Sequence, residues 1–98
     1  MKSIKVEKKL INKRSKIEIM ASILERARRG AKKTHIMYHC NLSFGQLQRY
    51  LKSLRVRGLV RRETCGSEIS YRITEKGQKF LKRYSKVALL LGLRKPKL

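Results

Sequence analysis

Arg49 and Lys52 stand three residues apart, which sets them on one side of a helix, with Gln46, Gln48 and Arg55 at the margins of that side. These residue types suit one chemistry. A guanidinium can pair bidentately with the major-groove edge of guanine and a carboxamide with that of adenine. Lys52 and Arg55, deeper along the helix, suit phosphate. No Asp or Glu shares the side, whereas an ordinary solvated helix face mixes both signs. Gly45 would let the start of the helix approach a polyanion closely.

Other candidates extend the pattern. Lys32, Lys33 and Thr34 precede or open a short helical segment, where unpaired amides and the helix dipole favour a phosphate. Ser43 opens the helix that carries Arg49 and is counted with the contacting residues. Arg61 and Arg62, Ser67 and Arg72 fall on two short strands and the turn between them, placed for backbone or minor-groove contact, although Glu63 and Glu68 dilute the charge there.

Two other chemistries find less support. His35 and His39 lie at i, i+4 with Cys40 next, types that zinc accepts. Yet Cys40 points about 100° away from His39 on a helix, and Cys65 is distant, so no metal is expected. Six acids and two histidines form no dyad, and the glycines follow no phosphate-loop pattern, so neither catalysis nor a cofactor is expected.

The elements that must position these residues follow from caps and periodicity. "SKIE" from Ser15 is a capping box, after which Met20, Ile23, Leu24 and Ala27 repeat at helical spacing up to Gly30. Ile36, Met37 and Cys40 mark a second, short helix. "SFGQ" from Ser43 is another capping box. Beyond it Phe44, Leu47, Tyr50, Leu51 and Leu54 share the buried side of a third helix that stops at Gly58. The period then changes to two, and "LVRRE" and "ISYRI", separated by residues 64–68, predict a β-hairpin. Thr74 caps a last helix. In it Gly77, Phe80, Tyr84, Val87 and Leu91 follow a heptad seam, widened by Leu81, Ala88 and Leu89, that suits a homodimer. The order is helix, short helix, helix, hairpin, helix: an α+β helix-turn-helix followed by a wing. The predicted organisation is a basic arm over 1–14, the domain over 15–74, and a dimerising helix with a basic tail over 75–98.

Composition bounds the partner. The 98 residues hold 27 Lys and Arg against six Asp and Glu, a formal charge of +21, which draws the chain to polyanions. At 41% hydrophobic it is too apolar to be a wholly disordered tail. The charge is uneven. Residues 31–58 hold six cations (Lys32, Lys33, Arg49, Lys52, Arg55, Arg57) and no acid, within structured sequence. No apolar run is long enough for a membrane span, and the basic start lacks the apolar stretch of a secretory signal. A cytoplasmic, nucleoid-associated protein with reduced thiols at Cys40 and Cys65 is expected.

The stretch "RGAKKTHIMYHCNLSFGQLQRYLKSLRVRGLVRRE", with "YRITEKGQKFL" after it, resembles the small archaeal winged-helix DNA-binding proteins of the ten-kilodalton chromatin class, and related archaeal regulators sharing that domain. The most specific parts are "GAKKT", "NLSF" with "QLQRYL", and "YRITEKG"; the match covers about residues 16–84. The resemblance implies a winged helix-turn-helix, duplex DNA as partner, and a homodimer through the C-terminal helices, often an antiparallel coiled coil. Gly92 and Pro96 interrupt the final stretch, so a helix pair shorter than a long rod is expected here. The expected function is regulation of transcription or chromatin coating, with no small-molecule substrate. Structured or ribosomal RNA is the alternative polyanion, and a membrane surface met by residues 87–98 is a third reading.

Overall fold

The structure, a computed structural model, describes residues 15–92; the basic arm over 1–14 and the tail with Pro96 lie outside the described residues. The first helix, α1, runs Lys16–Arg26. Its capping box is complete: the Glu18 amide donates to Ser15 Oγ, and the Ser15 amide donates to Glu18 Oε1. A single 3-10 turn, Ala27–Arg29, tightens the end, and Gly30 stops it at φ 85°, a left-handed angle that favours glycine. The helix buries Ile19, Ala21, Ile23 and Leu24.

Ala31 makes a contact that periodicity does not announce. Its amide donates to the Tyr71 carbonyl at 2.9 Å and its carbonyl accepts from the Tyr71 amide at 2.8 Å, so one residue adds a single rung on the free edge of the hairpin, in the place of a third strand. The short helix α2 (Lys33–Cys40) follows and ends on Asn41, in the left-handed region at φ 56°. Ser43 and Gln46 then form the second complete capping box, opening α3 (Phe44–Val56).

Leu47, Leu51 and Leu54 of α3 close the core with Ile23, Leu24, Ile36 and Cys40. Phe44, expected on this buried side, is instead 58% exposed. As the first residue of α3 it projects past the core, and Lys33 Nζ stands 5.3 Å from its ring centroid.

Strands β1 (Val60–Cys65) and β2 (Glu68–Ile73) pair antiparallel from Val60 opposite Ile73 to Cys65 opposite Glu68. The turn is therefore two residues, Gly66 and Ser67, with Gly66 at φ 64°. It is tighter than residues 64–68, because Thr64, Cys65 and Glu68 join the ladder. Helix α4 (Glu75–Leu91) is capped by Thr74 and ends at Gly92. Its buried stripe is Gly77, Leu81, Tyr84 and Ala88, so the predicted heptad seam is split between the core and the surface. Gly77 admits the close approach: a Cβ there would meet the Leu59 carbonyl oxygen and the Ile73 side chain.

Candidate nucleic-acid interface

Helix α3 and strand β1 diverge from the short turn around Gly58, and the angle between them is held by the chain that returns from the hairpin. Thr74 Oγ1 donates to the Gly58 carbonyl at 2.6 Å, the Thr74 amide donates to the Leu59 carbonyl, and Lys76 Nζ donates to the Arg57 carbonyl at 2.8 Å. The open side of that angle is a cleft of about 710 Å³ whose charged lining is Lys52, Arg55, Arg61 and Arg62. A second cleft of about 460 Å³ adjoins it through Lys52, Arg55 and Arg62, and adds Lys33, Gln48 and Arg49. Residues from α2, α3 and β1, up to 29 positions apart in the chain, thus converge on one surface.

The charge on this surface is mostly uncompensated. Lys33, Arg49, Lys52, Arg55 and Arg62 have no ion pair among the described residues, and no acidic side chain lines either cleft. Such a basic concavity focuses potential and raises the local concentration of a polyanion. Gly45 keeps the start of α3 slim, leaving Arg49 Nη1 4.0 Å from where a Cβ would sit.

Other predicted residues are engaged within the protein. Glu63 accepts from Arg72 Nε at 3.1 Å and from Arg61 Nε at 3.1 Å, so both arginines share one carboxylate. The Arg72 hydrogen bond holds the Glu63 carboxyl below its ordinary 4.5, with partial burial opposing and Arg61 adding to the effect. Lys32 reaches the wing tip and pairs with Glu68 at 3.1 Å. Gln46 Oε1 accepts from the Ser43 amide, and Ser43 Oγ accepts from the Gln46 amide, so both act as caps. Thr34 and Ser67 are exposed, away from the clefts beside α3.

The C-terminal candidates divide. Tyr84 and Ala88 lie in the core of the chain itself, and burial raises the Tyr84 hydroxyl above 10.0, with the Glu18 charge adding to it. Phe80 is half-buried and stacks on Tyr84 with centroids 6.1 Å apart. Val87 and Leu91 are exposed, as are Leu89 and Leu90. A largely apolar cleft of about 560 Å³ runs past Phe80, Val87 and Leu91 to Ile17. Among the described residues no helix is long and apolar enough to cross a membrane, and no three His, Cys, Asp or Glu side chains gather as a metal site.

Periodicity does not reveal the exposed Phe44 ring beside Lys33, nor the Ala31 rung that fixes where α2 begins relative to the wing. Phe44 carried a helical-spacing signal that pointed inward, and the rung, being backbone to backbone, left none.

Helix, short helix, capped third helix and hairpin, with an uncompensated basic surface across the last two, define a winged helix-turn-helix domain. A family model described as winged helix-turn-helix matches residues 13–91, and the chain belongs to that family. No curated protein matched the chain in sequence. Among solved structures the chain is similar to Sso10a-2, a DNA-binding protein from Sulfolobus solfataricus, at 26% identity over 80% of this chain and 85% of that one, with a TM-score of 0.66. It shares its fold with Sco3205, a MarR family transcriptional regulator from Streptomyces coelicolor solved in complex with DNA, at 22% identity, 72% and 49% coverage and a TM-score of 0.66. A MarR family regulator from Silicibacter pomeroyi is similar at 24% identity, 70% and 48% coverage and a TM-score of 0.59. The chain spans about half the length of these two regulators.

Proposed function

We propose that the chain binds duplex DNA, with α3 in the major groove and β1 on the flanking backbone. The observation that carries this reading is the pair of adjoining clefts in which Lys33, Arg49, Lys52, Arg55 and Arg62 stand without acidic partners among the described residues. Sso10a-2, the DNA-binding protein to which most of the chain is similar, supports it. Arg49, in the first half of α3, is placed to meet base edges, while Lys52, Arg55 and Arg62 meet phosphates. The role is binding rather than catalysis, as a regulator or as a chromatin protein within the cell. Val87 and Leu91, with Leu90 beside them, supply an apolar patch for a homodimer, since α4 turns Tyr84 and Ala88 to its own core.

Selection of bound sequences from random duplexes tests the reading. A half-site repeated at fixed spacing marks a dimeric regulator; binding without enrichment marks a chromatin coat; displacement of duplex by structured RNA at equal nucleotide concentration overturns it. For the dimer, Val87→Ser with Leu91→Ser is expected to halve the mass measured by sedimentation.

A further inference from the structure

Another part of the surface concentrates positive charge that the α3 reading leaves unused. A cleft of about 600 Å³ opens where the end of α1, the 3-10 turn and α2 meet, lined by Arg26, Arg28, Arg29, His35 and His39. Arg28 also lines a neighbouring cleft of about 460 Å³, with Lys82 and Lys86 of α4. The two clefts adjoin at that side chain, and none of these residues lines the clefts beside α3. Helix α2 divides the surfaces: His35 follows Lys33 by two positions, roughly 200° around the axis. Lys33 therefore serves one side and His35 and His39 the other.

Among the described residues one acid lines this second surface. Glu25 is largely buried, and its Oε1 lies 3.5 Å from Arg28 Nη1 while accepting no hydrogen bond among the described residues. It holds Arg28 at the junction of the two clefts. Arg26, Arg29, Lys82 and Lys86 have no ion pair among the described residues. Guanidinium forks and ring N–H groups match phosphate oxygens.

We propose that these two adjoining clefts form a second phosphodiester site, which takes the backbone of a second duplex DNA segment while α3 and the wing hold the first. This rests on the α3 reading for the first segment only. Contact is through phosphate alone, so it is independent of sequence.

The test is a two-duplex capture with the full-length chain. One duplex is immobilised, protein is bound, and a labelled second duplex is added. Wild type is expected to retain the label. Arg29→Gln with Lys82→Gln and Lys86→Gln is expected to keep binding to the immobilised duplex within about threefold, with unchanged sedimentation and helix content, and to lose label by about tenfold or more. Arg29→Gln with His39→Gln, remote from α4, repeats the measurement without touching that helix and is expected to lose label in the same direction. Undiminished capture by both variants overturns the proposal, since a dimer with two α3 faces would then account for it. So does a wild type that binds the first duplex and captures no second, or one that captures an RNA hairpin in preference to duplex. An Arg49→Ala with Lys52→Ala variant that binds the immobilised duplex as well as wild type strikes instead at the α3 reading.

Discussion

Thr74 Oγ1 donates to the Gly58 carbonyl at 2.6 Å and accepts from the Gly77 amide at 3.1 Å. One hydroxyl thereby caps α4 and ties the end of α3 to the end of the wing, so the opening of the cationic cleft depends on it. Thr74→Val, which keeps the shape and removes both bonds, is expected to cost about 1–3 kcal/mol in denaturant unfolding. Thr74→Ser should recover most of that loss. Equal stability of Thr74→Val and wild type would show that Lys76 and the backbone hold the junction alone.

The same junction leaves no room at Gly77. A Cβ would meet the Leu59 carbonyl oxygen and come within 2.6 Å of Ile73 Cγ1. Gly77→Ala is expected to destabilise by about 1–3 kcal/mol through overpacking, despite the better helix propensity of alanine. A thermal melt at or above that of wild type would contradict this packing.

Phe44 and Leu47, three residues apart, should separate clearly. Phe44 is 58% exposed and Leu47 fully buried. Leu47→Ala is expected to cost about 2–5 kcal/mol, and Phe44→Ala within about 0.5 kcal/mol of zero. In duplex binding the Phe44 variant is expected to be the weaker of the two when both are compared under conditions that keep them folded, because its ring lies at the leading end of α3 beside Lys33.

Glu63 supplies a pH dependence whose sign is fixed by its partners. Arg72 and then Arg61 lower its folded value below 4.5. Its contribution to stability is therefore complete above the unfolded value near 4.5 and is lost as pH falls from there through the folded value. The stability gap between wild type and Glu63→Gln, followed by urea unfolding from pH 7 downward, is expected to close in that acid range. A gap that widened in acid would have the wrong sign for this pair.

Much of this architecture was legible because its boundaries are local chemistry. Ser15, Ser43 and Thr74 cap helices with their own hydroxyls, and Gly30, Gly58 and Gly92 stop chain segments at left-handed angles. Such signals need no knowledge of the rest of the fold. Periodicity assigns Phe44 to the buried side because it gives the direction in which a side chain leaves a helix, not whether a neighbour is there to cover it. The polar run over residues 64–68 suggests a longer turn than the ladder leaves, because Thr64 and Glu68 pair with Ile69 and Cys65 at a hairpin end where both faces meet solvent. At the site, the α3 cations were legible from the missing acids on their side. The engagement of Arg61 and Arg72 by Glu63 was not, since it depends on strand register, and the splitting of the α4 stripe depends on which side packs toward α1.

Arg61 and Arg72 of the wing carry their neutralising anion built in, whereas Arg62 beside Arg61 has no ion pair among the described residues. Glu63 stands where two arginines would otherwise gather mobile anions, and Glu68 does the same for Lys32. A phosphate arriving there competes with a fixed carboxylate, so the wing pairs bring less net charge to the DNA and release fewer of its condensed cations, while among the described residues no acid competes for the α3 cations. Ionic strength therefore governs the grip of α3 and Arg62 more than that of the carboxylate-paired Arg61, Arg72 and Lys32, and in rising salt the domain loses its hold from the α3 clefts first.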